Sequence, residues 1–313
     1  MAGSKSVVLA ALVANGAIAV LKFGAFLLTG SPSMLSETYH SISDTGNQVF
    51  LLIGIRYSGK APSEGHPFGY GKAQFFYSFL VSVLLFGIAG WESLKHGYDA
   101  IVHGHSAAPG MVTLAGVTFD AVYVSILVLL GAIAFETYAF VKAHAELRRQ
   151  MEAYGWSNLV EAFRTTSDVT TLTAFTEDAI ALGGAVIALV GIVLTRLTGN
   201  HIYDAVSATI IGALLMFFAL ALAWENKRLL LGESAPPSLE AEFESIVAEH
   251  LGVDHVDRFR TMFVGPGAIL VAADVSFDAE LDTAELDADI RALEEKLRAH
   301  DDRVRFVYIE PER

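Results

Sequence analysis

Glu37, His40, Asp44 and Asn47 recur at spacings i, i+3, i+7 and i+10, which stacks all four on one face of a helix. An imidazole and a carboxylate four residues apart can touch one ion, and a nitrogen–oxygen donor pair suits a borderline divalent metal such as Zn²⁺. The same stripe could instead serve as a proton relay or as a structural hydrogen-bond network. A tetrahedral ion needs donors from a second element. The apolar run TLTAFTEDAIALGGAVIALVGIVL supplies Glu177 and Asp178 and no other charge. Carboxylates in such a run are costly and rarely idle. Helical neighbours point ~100° apart, so one of the two faces Asp44 while the other stands behind it as proton acceptor or partner of a basic group. Asp178 is the expected ligand; Glu177 and Asn47 are further candidates. The chain has no cysteine, so thiolate sites, disulfides and thiol redox chemistry are excluded.

The elements that must position these groups are long and apolar. Of 313 residues 53% are hydrophobic and 18% charged, and six segments are long enough to cross a hydrocarbon core: about 7–29, 34–57, 73–95, 111–141, 170–197 and 203–224. The first could pass for a secretory signal, but its length favours a retained span. In lipid the backbone must satisfy itself, so the spans are helices, and the polar stripe of the second must face the bundle interior. Most Lys and Arg outside the spans fall on one side of the alternating connections, Lys95 and Arg196 on the other, which predicts cytoplasmic termini. Lys22, Glu37 and Asp120 lie within or beside spans, and an ion pair between helices accounts for them. Asp204 opens the sixth span, where the helix dipole favours an acid. Asn15 suits a bond to a neighbouring helix.

Residues 143–169 mix charges with Leu147, Met151, Trp156, Leu159 and Phe163, the pattern of an amphipathic helix lying at the membrane interface. Gly232 and Pro236-Pro237 then end the membrane domain, 1–232. Residues 233–313 read as αββαβ, a small ferredoxin-like α+β domain on the cytoplasmic side, suited to pairing with a second copy. Its 20 acids against 8 Lys plus Arg read as a solvated surface, and two copies held together would need cations to screen them. Net charge of −14 argues against a nucleic-acid partner.

His40-x-x-x-Asp44, the connection Gly65-His66-Pro67-Phe68-Gly69-Tyr70-Gly71-Lys72, six spans and an αββαβ tail together resemble the cation diffusion facilitator family of metal/proton antiporters. The resemblance covers nearly the whole chain, and lies closest to the branch containing the mitochondrial zinc transporter of solute carrier family 30. It implies a homodimer that exports a divalent metal from the cytoplasm by alternating access, with protons as counter-ion. His40 and Asp44 match one half of the family's site and Asp178 the aspartate of the other. The family's partner histidine falls at Ala174, which leaves room for Mn²⁺, Co²⁺ or Fe²⁺ besides Zn²⁺. A secondary site on the connection would fall on Ser63, His66 and Tyr70, where only His66 is a ligand type, so no metal is expected there. His250, His255, Glu310 and Glu312 are the weak candidates for a metal in the tail. A non-transporting membrane scaffold and a channel are the competing classes. An enzyme is not expected, because no nucleophile is paired with a base.

Overall fold

The computed structural model describes residues 2–104, 110–114, 117–165 and 169–312. Helix α1 (Ala2–Thr29) turns at Gly30, whose φ of 64° is the left-handed conformation that closes a helix, into α2 (Pro32–Ser58). The next rod joins α3 (Ala73–Leu84), a π-helical turn (Leu85–Gly90) and α4 (Trp91–His103). A hairpin of β1 (Met111–Leu114) and β2 (Val117–Asp120) leads into α5 (Val122–Tyr154), followed by short α6 (Leu159–Thr165), α7 (Val169–Thr198) and α8 (Ile202–Leu231). Among the described residues five rods are long and apolar enough to cross a membrane: α1, α3 through α4, α5, α7 and α8. Helix α2 is the sixth of this class by length. Its 27 residues extend ~40 Å, but the polar stripe keeps its hydropathy below that of the others.

Two expectations are corrected. The fourth span begins at Val122, not at 111. The segments MVTL and VTFD each carry two adjacent β-branched residues, pair antiparallel, and are joined by Thr113 and Thr118 hydroxyls 2.9 Å apart. Asp120 then accepts the Val122 N–H at 3.0 Å and starts the helix. Residues 143–154 form no separate interfacial helix. They continue α5 to Gly155, and the described remainder of that stretch is α6 and the start of α7. Residues 115–116 of the first expectation and 166–168 of the second lie outside the described residues.

The chain divides into two compact units. The first gathers α1, α2 to Gly54, the helices from Tyr77 to Leu159, α7, and α8 to Glu225. Helices α5 and α7 run antiparallel in it, with Gln150 donating to Thr171 at 3.3 Å and the Phe140 and Phe175 rings 5.4 Å apart. The α3–α4 rod meets α8 through glycines. A methyl on Gly97 would lie 2.5 Å from the Thr209 nitrogen, and one on Gly212 would lie 2.8 Å from the Leu94 Cα. Small residues at such crossings let backbones approach where lipid offers no hydrophobic drive.

The second unit holds Ile55–Phe76 with the α2–α3 connection, Val160–Asp168 and everything from Asn226 on. Its C-terminal part is α9 (Pro237–Ala248), β3 (Val253–Gly265), β4 (Ala268–Phe277), α10 (Thr283–His300) and β5 (Val304–Glu312), the αββαβ order read from sequence. The sheet order is β3-β4-β5, with β3 antiparallel and β5 parallel to β4. Alternate residues of β4, from Ile269 to Phe277, are buried. Helix α9 packs on β3, α10 on β5, and the helices on each other, which puts both on one face. Asp282 and Glu285 form a capping box that starts α10. Within the same unit Phe68 meets Phe306 and Tyr308 edge-on, and Gly71 lies against Gly265 closely enough that a side chain on either would strike backbone.

The glycine crossing gives a stability prediction. Gly97→Ala and Gly212→Ala each lower the thermal midpoint of the detergent-solubilised protein by several degrees, consistent with the ~1–3 kcal/mol cost of overpacking. Gly131→Ala, where nothing stands within 4 Å of the added methyl, leaves it unchanged.

Candidate metal site

His40 and Asp44 lie ~12 and ~18 Å along the axis of α2 from its start, near the middle of the rod. Their depth and rotation are set by a pairing with α1. Lys22 Nζ donates to Glu37 Oε2 at 2.8 Å and to Ser41 Oγ at 2.9 Å, and both charged side chains are 0% exposed. The helix-to-helix ion pair expected of Lys22 is therefore formed, with Glu37. Helix α7 accommodates it with Gly184, since a methyl there would lie 2.5 Å from Glu37 Oε1. Asp120 pairs instead with Arg196, at 3.5 Å.

The imidazole of His40 is 1% exposed, and neither ring nitrogen has a hydrogen-bond partner. Nδ1 stands 3.4 Å from Asp44 Oδ1, near enough for both to approach one ion. A buried polar ring without a partner costs ~1–3 kcal/mol unless something else supplies the contact. Across the seam, Glu177 of α7 accepts from Asn47 Nδ2 at 2.8 Å, and its carboxyl is hydrogen-bonded to that of Asp44. Two carboxyl groups share a hydrogen bond only when one carries a proton, so this contact holds either a proton or a cation in its place.

The structure thus brings His40, Asp44, Asn47 and Glu177 together. Asp178 leaves α7 ~100° around from Glu177, and its charge acts on both Glu177 and Glu136 of α5. As the helices stand, no three His, Asp or Glu side chains among the described residues are placed to hold one ion. Glu136 was missed by the sequence reading. Its signal was there: it is the one charged residue between Asp120 and Lys142, and it is buried.

Other candidates resolve differently. Asp204 is more than a helix-start acid, because it accepts the Ser33 backbone N–H at 3.3 Å and the Ser33 hydroxyl, tying α8 to the start of α2. Beside it a cavity of about 220 Å³ is lined by Thr29, Ser31, Asp120, Arg196, His201 and Asp204. On the α2–α3 connection, the Ser63 and Tyr70 hydroxyls are 3.1 Å apart and the His66 ring stacks on Tyr70 at 4.2 Å. In the tail, His250 Nε2 is 3.4 Å from Asp289, and Lys296 donates to its Nδ1 at 2.9 Å. His255 and Glu312 flank Ser276 on opposite strands, two strand spacings or ~10 Å apart.

Comparison with known proteins adds the following. The family model described as the cation efflux transmembrane domain matches residues 8–231. The human mitochondrial proton-coupled zinc antiporter SLC30A9 is 29% identical over 90% of this chain and 47% of its own length. Metal tolerance protein C4 of Arabidopsis thaliana is 27% identical over 89% and 58%, and the cation-efflux pump FieF of Escherichia coli O127:H6 is 26% identical over 82% and 76%. The chain spans about half the length of the first two relatives.

The two adjacent carboxylates are separable by measurement. Glu177→Gln weakens Zn²⁺ binding to the purified protein at least tenfold in titration calorimetry, because Glu177 is the group that meets Asp44. Asp178→Asn weakens it less than threefold. The reverse ranking would exchange their roles.

Proposed function

The chain belongs to the cation efflux family, and from that premise we propose that it carries a divalent transition metal, Zn²⁺ foremost, across a membrane in exchange for protons. The observation that carries this reading is the buried, unpartnered imidazole of His40 beside Asp44, with the carboxyl of Glu177 brought to the same place by another helix. Imidazole nitrogen and carboxylate oxygens are the donors Zn²⁺ takes when thiolates are absent. The name of the human relative, a proton-coupled zinc antiporter, supports the same cargo and counter-ion.

The exchange follows from the chemistry of the donors. Without cargo, the Asp44–Glu177 contact holds a proton. An arriving ion takes the His40 lone pair and the carboxylate oxygens, with Asn47 or Asp178 as further donors, and the shared proton leaves. Once the bundle opens to the other side, returning protons occupy the same oxygens and the ion departs. Ligand atoms cannot hold metal and proton at once, so loading and protonation exclude each other. Export runs from the cytoplasm, a direction supported by the Lys/Arg bias of the connections, which favours both termini on that side. The αββαβ domain pairs two chains into a homodimer whose acidic surfaces need cations between them. Ser41, which follows His40 in the chain, is engaged by Lys22 rather than activated by a base, which fits a carrier better than an enzyme.

In proteoliposomes with an imposed proton gradient, His40→Ala and Asp44→Ala reduce Zn²⁺ uptake to the protein-free background. Wild-type Zn²⁺ affinity falls as pH drops through the range below 7. Uptake by Asp44→Ala equal to wild type would discard the assignment.

A second reading concerns the ion alone. Position 174, one turn before Asp178 on α7, is alanine, and the resulting oxygen-rich donor set also suits Mn²⁺, Co²⁺ or Fe²⁺. Ala174→His shifts competition in favour of Zn²⁺ over Mn²⁺ at least tenfold; unchanged selectivity would mean that residue 174 does not face the ion.

A further inference from the structure

Among the described residues, Lys22 is the one lysine or arginine buried from solvent, and it lies inside the apolar stretch of α1. Its ammonium is held at 2.8 Å by Glu37 and at 2.9 Å by Ser41. Ser41 follows His40 directly and precedes Asp44 by three residues, so the positive charge is fixed within one helical turn of the proposed ligands. The ammonium acts on His40 and Asp44, and Glu136 on α5 feels both members of the pair. Glu37 cannot retreat toward α7, where its Oε1 already fills the space left by Gly184. A permanent cation is thus built against a site for cations. Holding helices together does not demand this, because well-packed apolar residues of the same volume do so at no greater cost.

We propose that Lys22 sets the release of the transported ion. Its charge offsets part of the attraction of Asp44, Glu136, Glu177 and Asp178, and keeps a carboxylate-rich site weak enough to empty. The inference rests on the metal-carrier reading above. It makes Lys22 a positioning residue with an electrostatic role, not a ligand.

The two members of the pair therefore act on cargo with opposite sign, which a mechanical strut would not do. Zn²⁺ binding to the full-length protein in detergent is measured by titration calorimetry at one fixed pH, alongside the thermal midpoint and the KM and kcat of Zn²⁺ uptake in proteoliposomes. Lys22→Met with Glu37→Gln, which removes the ammonium without stranding a carboxylate, is expected to bind Zn²⁺ at least tenfold more tightly, with KM and kcat both reduced by slow release. Glu37→Gln alone, which leaves the ammonium without its counter-charge, is expected to bind at least tenfold more weakly. Shifts of the same sign, or unchanged affinity with lowered thermal midpoints, would make the pair a strut and overturn the proposal. Should the double variant fail to fold, Glu37→Gln decides alone, and if neither folds the proposal is lost. Wild-type protein and Asp44→Ala run beside them. Failure of the wild type to bind Zn²⁺, or binding by Asp44→Ala equal to wild type, would instead remove the carrier reading itself.

Discussion

A charge placed in hydrocarbon must be met by another charge, a hydrogen bond or an ion, and the bundle is organised by how that demand is met. Lys22 and Glu37 meet it for each other across α1 and α2. Because each is fully buried, the contact fixes how deep the two helices stand relative to one another and how α2 is rotated. Three residues beyond Glu37 that rotation presents His40, and one turn later Asp44, to the inside of the bundle. Gly184 then lets α7 come close enough for Glu177 to reach the same seam. Removing one partner of such a pair is costly, ~3–5 kcal/mol, because the other is left uncompensated.

Asp44 and Glu177 meet at the seam between α2 and α7, and Glu136 of α5 lies near enough to act on both of them and to feel Asp178. A small rotation of α7 would exchange which acid of the Glu177-Asp178 pair meets α2, and alternating access requires helix movements of that kind.

Much of this was legible in the sequence because it is local. The i, i+3, i+7, i+10 stripe specifies a face, the apolar lengths specify spans, and the alternation of β4 specifies a half-buried strand. The Lys22–Glu37 pair could be anticipated because a membrane charge demands a partner at its own depth. What escaped depends on non-local geometry. Nothing in the string TED says which of two adjacent carboxylates faces Asp44, since that is set by the rotation of α7 against α2. Glu136 was overlooked because a lone acid among apolar residues forms no pattern, and its meaning comes from Lys22, Asp178 and Glu37 on other helices. MVTL and VTFD are apolar enough to pass for the beginning of a span, and only their pairing with each other makes them a hairpin. Residues 143–154 look amphipathic whether a helix lies flat or simply continues.

The π-helical turn between α3 and α4 inserts one residue into a single turn and so advances the phase of everything beyond it by ~100°. Counting on from buried Leu85 without that insertion, the inner positions of α4 would be Glu92 and His96; with it they are Ser93 and Gly97, and Ser93 and Gly97 are the residues found buried. The interruption works as a vernier. Below it the rod keeps the face its apolar residues choose, while above it a carboxylate and an imidazole are dialled off the α8 crossing, the His96 ring stacking on Tyr39 of α2, and glycine is turned onto the backbone of α8. A single-residue deletion anywhere in Leu85–Gly90 would reset that dial and drive two polar side chains into a crossing with no room for a methyl.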